Sequence, residues 1–586
     1  MARNKYDIDE ELEKGFDFGK LKRSFVYIKP YKWFMIGALL LSALSSILAL
    51  VTPTLLQRVM DIAIPDGNRG LLTRLSFLTL GAILLSVVFG ALRGVIMSYC
   101  GQHMIYDIRK DIFDHLQQLP FSYYDSRPHG KILVRVVNYV NSVSDTLTNG
   151  LVNALLDLMN IVFIAVFMFA MDVKLSLIIL SGMPVLLVVI FLLKNVQKRA
   201  NFVLNNKSSN LTAYTCESIE GVKVSQIFNR QQENMEIYSR LNDVYQKAWF
   251  KSAYLNNAMS PITENLKQLV LALVYVAGIL LISPSIEVGV LIAMATYSSR
   301  FWQPVVSLAN IYNNFLKTTS YLERIFQTID EPVDIKDTEG AKEIDNIEGN
   351  VEFRNVSFEY EKGVRVLDNV SFTVKKGESV AFVGPTGAGK STIINLISRF
   401  YEPTEGQIFI DGVEIRDITI ESLRSKMGIM LQDSFIFTDT IAGNVRYGKL
   451  DATDEEVRSA CRTVCADTFI EKMPDGYETG VTERGGQLSQ GQRQLVAFAR
   501  TVISDPAVII LDEATSSIDA ETEKLLQTGI EHILKGRTSF VIAHRLSTIR
   551  NCDKIMYIDK GRITECGTHD ELMAKKGDYY RLHNAQ

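Results

Sequence analysis

The chain has 586 residues, of which 47% are hydrophobic and 22% are charged, and its net charge at pH 7 is −4. That length provides for several domains, and the apolar content excludes a disordered chain. A net charge so close to neutrality gives no indication of a nucleic-acid partner. A mean hydropathy of +0.10 beside so many charges indicates one membrane half and one soluble half.

The cysteines do not form the framework of a disulfide-rich protein, because there are only six and they are scattered along the chain. Cys461 and Cys465 lie four residues apart, a spacing that suits one face of a helix. Without a second pair of cysteine or histidine residues nearby, this spacing favours ordinary packing over a metal site. Reduced thiols facing a cytosol are expected.

The N-terminal segment, residues 1–32, carries eight Lys and Arg residues and no cleavage site after a short apolar run, so we do not expect a signal peptide. Apolar residues such as Phe18 and Phe25 alternate there with basic ones such as Lys22. This pattern predicts an interfacial helix on the cytoplasmic leaflet.

Six apolar stretches follow, each to be compared with the roughly 20 residues that cross a bilayer as a helix. They predict a membrane domain of six transmembrane helices over residues 33–325. The stretches are Trp33–Gln57, Leu75–Tyr106 (interrupted by Arg93), Leu147–Met171 (with Asp157), Leu175–Leu193, about Gln268–Ile282, and one that starts at Val288.

The links between these stretches divide into short ones and two long, helix-patterned ones, at about 101–145 and 194–262. The second long link holds nine Lys and Arg residues between Lys194 and Lys251, whereas the opposite side carries few. The positive-inside rule therefore predicts that both termini and both long links are cytoplasmic.

The soluble half begins after an acidic, turn-prone segment, 326–349, that is expected to be a linker. Strand-like alternation follows at once, with Val351, Phe353, Val356 and Phe358 on pleated faces. Residues 350–586 are therefore predicted to form a separate α/β domain.

A glycine-rich motif, Gly384-Pro-Thr-Gly-Ala-Gly-Lys-Ser391, lies between an apolar strand (379–383) and a helical stretch. This is the context of a phosphate-binding loop, in which backbone N–H groups at a helix N-terminus hold phosphates. Lys390 can reach the β- and γ-phosphates, and the Ser391 hydroxyl can bind Mg²⁺. The alternative is a glycine turn at a strand–helix junction. The predicted nucleotide-binding residues here are Gly384, Pro385, Thr386, Gly387, Ala388, Gly389, Lys390, Ser391 and Thr392.

A second apolar run, 508–513, reads as a buried parallel strand that ends in Asp512 and Glu513. Asp512 is placed to hold Mg²⁺ through water, and Glu513 to act as general base toward the attacking water. The alternative is that the two carboxylates cap the next helix.

The stretch Leu488-Ser489-Gln490-Gly491-Gln492 resembles the signature sequence of ATP-binding cassette (ABC) proteins. Other family motifs match in order: Tyr360 resembles the aromatic that stacks on adenine, Gln432 the Q-loop glutamine that reaches Mg²⁺ and water, and His544 the switch histidine. Thr482–Gly485 is similar to a loop of exporters, and Ser516–Asp519 to the D-loop. Six spans followed by one cassette resemble an ABC exporter half-transporter, so the resemblance covers nearly the whole chain.

The resemblance implies an α-helical membrane domain with long cytoplasmic extensions, plus an α/β P-loop nucleotide-binding domain. It implies ATP and Mg²⁺ as cofactors, with Glu513, His544, Gln432 and Lys390 as catalytic residues. In the family the signature contacts the nucleotide of the opposite cassette, so two cassettes close on two ATP molecules and a second half-transporter is required. Gln490 stands where many members have glycine, which favours a heterodimer; a homodimer is the alternative.

The tips of the two long links, Phe121–Gly130 and Thr212–Gly221, resemble the coupling helices of the family. One is expected to contact its own cassette and the other the partner's.

Polar residues at membrane depth are expensive and indicate functional positions. We expect Arg300 and Trp302 to face a central cavity, and Glu264 and Lys267 can instead form an intrahelical ion pair. The resemblance implies export of an amphipathic small molecule, drug, lipid or peptide across the plasma (inner) membrane; an ATP-gated channel or an importer is the alternative. The polar candidates are Arg93, Asp157, Asn160, Glu264, Lys267, Arg300, Trp302 and Gln303.

Overall fold

The computed structural model describes residues 18–127, 129–279, 287–430, 434–513, 520–543 and 549–585. The chain forms two compact units. The first comprises Met1–Gln117 and His129–Glu331, and the second comprises Gln118–Pro128 and Pro332–Gln586. Residues 118–128, which interrupt the first unit in the sequence, therefore belong with the C-terminal half.

Helices account for the regular structure of the described chain before residue 332. All except α4 belong to the first unit. They are α1 (Phe18–Ile28), α2 (Lys32–Arg58), α3 (Arg69–Gln118), α4 (Phe121–Asp125), α5 (His129–Val134), α6 (Val140–Asp145), α7 (Leu151–Met171), α8 (Val173–Glu220), α9 (Val222–Ile227), α10 (Gln231–Ala277) and α11 (Val288–Ile329).

Four helices of the described chain are long and apolar enough to cross a membrane: Lys22–Ala63, Arg69–Gln118, Ile132–Met171 and Val173–Glu220. They carry the first four predicted spans. The predicted fifth span lies on α10 and runs into residues 280–286, which are outside the described residues, and the sixth starts α11. Large apolar side chains face outward from the four helices, as a lipid environment requires.

The first unit packs its own core where α8, α10 and α11 meet. Trp302 is 1% exposed there. A Cβ on Gly182 would lie 2.7 Å from a methyl of Val270 and 2.9 Å from the Trp302 ring, so the glycine allows the close approach. The Tyr297 hydroxyl donates to the Leu50 carbonyl and thereby ties α11 to α2.

The second unit contains a six-stranded sheet and a four-stranded sheet. The six-stranded sheet has the order β12-β11-β3-β10-β9-β6, and all its neighbours are parallel except β12 on β11. The four-stranded sheet, β2-β1-β4-β5, is antiparallel. The strands are β1 (Val351–Glu361), β2 (Val364–Val374), β3 (Ser379–Val383), β4 (Glu405–Ile410), β5 (Val413–Glu414), β6 (Met427–Met430), β7 (Asp439–Thr440), β8 (Gly480–Val481), β9 (Val508–Glu513), β10 (Thr538–Ala543), β11 (Lys554–Asp559) and β12 (Arg562–Gly567).

Helices and the four-stranded sheet cover the six-stranded sheet. Apolar side chains on the two faces of the parallel strands belong to two separate hydrophobic clusters, which explains their continuous apolar sequence. The described helices are α12 (Lys390–Ile397), α13 (Ile420–Ser425), α14 (Ile441–Arg446), α15 (Asp454–Thr463), α16 (Asp467–Ile470), α17 (Gln490–Val502), α18 (Ala520–Leu534), α19 (His569–Lys575) and α20 (Asp578–Ala585). A helical membrane domain joined to an α/β domain confirms the fold class predicted from the sequence.

Two further segments pack against the α/β domain. In α4, the centroid of the Phe121 ring lies 4.4 Å from the centroid of the Phe400 ring. In the segment after Pro332, the Lys336 carbonyl accepts a hydrogen bond from Arg399, whose side chain is fully buried and also donates to the Ile418 carbonyl at 2.7 Å. Part of the segment expected to be a linker is thus attached to the α/β domain.

Candidate nucleotide-binding site

The glycine-rich loop connects β3 to α12. Gly384, Gly387 and Gly389 all have positive φ, and Gly389 precedes the first residue of α12 in a left-handed conformation. Left-handed residues in such a loop can turn backbone N–H groups toward a concavity at the helix N-terminus. Pro385, Thr386 and Gly387 are exposed, so the concavity is open to a ligand.

Two of these glycines are required by their surroundings. A Cβ on Gly384 would lie 2.1 Å from the Ile558 carbonyl oxygen, and a Cβ on Gly389 would lie 2.7 Å from a Leu367 methyl. The loop therefore packs directly against the end of β11 and against β2. Its shape is held by the rest of the domain.

Lys390 lies across the loop. Its ammonium donates to the carbonyl oxygens of Gly384 and Pro385, each at 2.8 Å, and the residue is only 9% exposed. Burial lowers the pKa of this ammonium, while the nearby Asp512 carboxylate opposes the shift. Lys390 places a cation at the N-terminus of α12, where free backbone N–H groups also favour negative charge, so the loop is suitable for phosphates.

The aromatic side of the site is formed by Tyr360 on β1. Its ring is 47% exposed, as stacking on a base requires, and its hydroxyl is 3.2 Å from that of Thr392. The Tyr401 ring packs edge-on at 5.0 Å behind it. Tyr401 was not predicted from the sequence; the available signal was the aromatic pair Phe400–Tyr401, which follows the end of α12 within four residues.

The strand order brings the acidic residues to the same edge as the loop. β10 lies between β3 and β9, with Ile542 opposite Phe382 and Ala543 opposite Glu513. Since all three strands are parallel, their carboxyl ends meet at one edge, where ligands of such sheets bind.

Two predicted catalytic residues follow strands that end at this edge. Gln432 comes two residues after β6, and His544 directly after β10. Both lie outside the described residues, as does the predicted D-loop, Ser516–Asp519, and nothing is described of the Glu513 side chain.

The donor set beside the loop fits Mg²⁺. The exposed Ser391 hydroxyl stands in the first turn of α12, and the half-buried Asp512 carboxylate is close enough to Lys390 to act on its charge. Hydroxyl and carboxylate oxygens are hard ligands of the kind this ion prefers.

The signature stretch begins α17. The exposed Ser489 caps the helix: its hydroxyl accepts from the Gln492 N–H at 3.2 Å, and the Gln492 side chain accepts from the Ser489 N–H at 2.9 Å. This capping box leaves other N–H groups of the first turn available. Leu488 and Gly491 are buried and anchor the turn, and Gln490 is half-buried.

Comparison with known proteins agrees with this geometry. Residues 35–305 match the ABC transporter transmembrane region, and residues 367–516 match the ABC transporter family of ATP-binding domains. A relative in Bacillus subtilis, the uncharacterized ABC transporter ATP-binding protein YknV, is 39% identical over 100% of this chain and 98% of its own length. The chain belongs to the ABC transporters.

Two further similarities identify the branch. The ATP-dependent lipid A-core flippase of Syntrophus aciditrophicus is 35% identical over 94% of this chain and 91% of its own length. The structure of a bacterial Atm1-family ABC exporter with ATP bound covers 97% of this chain and 99% of its own, with a TM-score of 0.77 and 29% identity. The predicted ABC exporter half-transporter is confirmed: it is an ATP-binding membrane protein, of a class that works as a dimer.

The first predicted coupling segment, Phe121–Gly130, contains α4. The second was predicted at Thr212–Gly221, but the structure continues α8 to Glu220 and turns at Gly221 into the short helix α9. The tip of this link therefore lies about ten residues further along than we predicted. Ile227 and Phe228 are exposed there, at 74% and 69%.

The polar residues at membrane depth are distributed differently from our expectation. Trp302 does not line an open cavity but is buried beside Gly182, because the glycine makes room for its ring. Arg300 is exposed and donates to the Ala49 carbonyl at 2.7 Å. Glu264 and Lys267 form the intrahelical ion pair, at 3.1 Å.

The cysteine pair also differs from the predicted arrangement. Cys461 is buried on α15, but that helix ends at Thr463, and Cys465 follows with a φ of 60°. The two thiols therefore do not share a helix face. Among the described residues no group of three or more His, Cys, Asp or Glu side chains could hold a metal ion.

Proposed function

We propose that the half-transporter hydrolyses ATP to export an amphipathic small molecule, drug, lipid or peptide by alternating access. The observation that carries this proposal is the phosphate-binding loop, with Lys390 buried across it and Tyr360 exposed beside it. Its supports are the helical membrane domain and the similarity to exporters and to a lipid flippase.

Nucleotide binding begins with the loop. Residues 384–392 hold the phosphates through backbone N–H groups, and Lys390 exchanges the Gly384 and Pro385 carbonyls for phosphate oxygens. Tyr360 stacks on the adenine. Ser391, Asp512 and Gln432 would hold Mg²⁺, which neutralises the charge that develops on the phosphates.

Closure brings the signature of one cassette onto the ATP of the other. The N-terminus of α17 supplies N–H groups and the Ser489 hydroxyl for the γ-phosphate. Leu488, Gln490, Gly491 and Gln492 shape that turn. Glu513 then acts as general base toward water, Gln432 positions that water, and His544 donates a hydrogen bond to a phosphate oxygen. Hydrolysis reopens the pair.

The partner is a second half-transporter, and we favour a heterodimer because of Gln490. The exposed apolar residues around α9, Ile219, Val224, Ile227 and Phe228, support a contact of this segment with the partner's cassette. A homodimer would contain two identical sites, each with its own Glu513.

We place the protein in the plasma (inner) membrane, with both termini and the cassette in the cytoplasm. The basic residues of the long links support that orientation. In this orientation the cassette has access to cytoplasmic ATP.

The test is Mg²⁺-dependent ATPase activity of the chain purified alone in lipid, with Glu513→Gln as the matched variant. Strong activity that the variant abolishes, together with retained ATP binding, is the result expected of a competent homodimer. Little activity from a folded chain, restored by a co-expressed partner, is the result expected of a heterodimer. Fast turnover by Glu513→Gln would overturn the assignment of the base.

A further inference from the structure

A polar cavity of about 190 Å³ lies inside the first unit, between α2, α3, α7 and α11. Three of these helices are among the four that are long and apolar enough to span a membrane. The lining residues on α2, α3 and α7 lie within the apolar stretches of these helices, so the cavity is at membrane depth, where polar groups are costly unless they have a function. We call it the polar cavity.

Charged groups of both signs line the polar cavity. Arg93 on α3 and Asp157 on α7 interact electrostatically, and the Arg93 guanidinium donates to the Asn153 side-chain oxygen. Ser307 on α11 also lines the cavity, together with Asp157. One cation and one anion give the site no net charge but a clear separation of charge.

One acceptor in the polar cavity is unused. The Asp157 Oδ2 atom is buried and has no hydrogen-bond partner among the described residues. A buried carboxylate oxygen without a donor is unfavourable, and such atoms in native proteins usually have a ligand or water as partner. The atom lines a cavity large enough to receive one.

We propose that the polar cavity binds the polar end of a zwitterion that carries a primary ammonium and a phosphate or carboxylate on a short linker. The ammonium donates to Asp157 Oδ2, and the anionic group pairs with Arg93. A simple cation would meet Arg93 and a simple anion would meet Asp157, so neither complements both charges. The volume is below that of a site for a whole drug-sized molecule, so the site takes a head group or a compact solute.

The head group can belong to a lipid or to a soluble molecule, and the experiment distinguishes the two. The probe is O-phosphoethanolamine, with O-phosphocholine as the matched control, since its quaternary ammonium has no N–H to donate. Binding to the full-length protein in phosphatidylcholine vesicles is measured by calorimetry. The variants are Asp157→Asn and Arg93→Gln, with Glu233→Gln, on an exposed ion pair outside the cavity lining, as control.

We expect O-phosphoethanolamine to bind about tenfold or more tightly than O-phosphocholine, because a hydrogen bond between charged groups is lost in the control. Asp157→Asn and Arg93→Gln should each weaken binding by a similar factor, and Glu233→Gln should not. No binding, or binding that both cavity variants leave unchanged, would overturn the proposal. Arg93→Gln gives the answer if Asp157→Asn does not fold.

A second experiment, which rests on the proposed export function, tests whether the head group belongs to a lipid or to a soluble molecule. ATPase activity is compared in phosphatidylcholine vesicles with and without phosphatidylethanolamine, and with soluble O-phosphoethanolamine. Stimulation by the lipid that Asp157→Asn removes identifies a lipid substrate, and stimulation by the soluble compound alone identifies a solute. Binding without any ATPase activity would leave the site standing and count against the export function.

Discussion

The Tyr401 hydroxyl donates a 2.7 Å hydrogen bond to the Asp125 carboxylate, although 276 residues separate them. Asp125 ends α4, which belongs with the α/β domain, and the Tyr401 ring packs 5.0 Å from Tyr360. Tyr401 and Asp125 thus connect Tyr360, the aromatic predicted to stack on adenine, with α4, the segment that follows α3 in the chain. Burial and the Asp125 carboxylate both raise the pKa of Tyr401 well above its ordinary value.

We predict that Tyr401→Phe loosens α4 without unfolding the cassette. Loss of one hydrogen bond costs about 1 kcal/mol, so amides of residues 121–125 should exchange with solvent about fivefold faster. Hydrogen exchange of the full-length protein measures this. Tyr580→Phe, far along the chain, is the control, and unchanged exchange in 121–125 would show that the bond does not hold the segment.

Gly384→Ala should destabilise the cassette and abolish ATP binding. The new Cβ would lie 2.1 Å from the Ile558 carbonyl oxygen, on a residue whose φ is 144°. Left-handed strain of this kind alone costs on the order of 1–3 kcal/mol. Thermal unfolding and fluorescent-nucleotide binding measure the two effects. Gly480→Ala, where a Cβ meets nothing within 4 Å, should leave both unchanged.

Lys390→Ala should weaken ATP binding about tenfold or more, because it removes a charged donor from the phosphate site. Equilibrium binding of a fluorescent ATP analogue provides the measurement. Lys449→Ala removes a lysine that is paired with Glu456 on the surface and should have no effect. Tight binding by Lys390→Ala would contradict the phosphate-loop assignment.

Substitutions at the two residues of the capping box, Ser489 and Gln492, can distinguish a structural role of the signature from a catalytic one. Ser489→Ala and Gln492→Ala each break one of its reciprocal bonds and should each cost about 1 kcal/mol of stability. Only Ser489→Ala also removes the hydroxyl proposed to contact the γ-phosphate, so its ATPase activity should fall much further. Equal losses of activity would leave Ser489 with a structural role alone.

Cys461 should be unreactive in the folded protein. Burial raises the pKa of its thiol to about 12, so very little thiolate exists at pH 8. Because the pKa of this thiol is higher in the folded protein than its ordinary value near 9, the buried thiol contributes to the free energy of unfolding below pH 9. This contribution is lost as the pH rises toward 12. Iodoacetamide at pH 8, read by mass spectrometry, should modify Cys461 only after denaturant is added. Rapid modification without denaturant would contradict its burial.

Local motifs were predictable because the residues that define them are neighbours in the sequence. The loop from Gly384 to Ser391 needs a strand before it and a helix after it, and both can be read from the neighbouring residues. The capping role of Ser489 was predictable for the same reason. Whether Gln432, Glu513 and His544 perform the predicted chemistry remains a prediction.

Long-range packing was not predictable from the same patterns. The burial of Trp302 depends on Gly182, 120 residues earlier, and hydrophobic periodicity does not identify which helix a residue will meet. The Tyr401–Asp125 bond joins two segments far apart in sequence. Helix ends caused the remaining errors: α8 runs on to Glu220, and α15 stops before Cys465.

The burial of Arg399 decides where a separately produced cassette has to start. Its guanidinium needs the Lys336 carbonyl as well as that of Ile418, and Asp337 lies 3.8 Å away. A fragment that starts at residue 350, just before the first strand, would lose the Lys336 acceptor and the nearby Asp337, and loss of such a partner of a charged group costs about 1–3 kcal/mol. A fragment that starts at Pro332 keeps every one of these contacts, and biochemists who isolate the ATPase should include those 18 extra residues, 332–349.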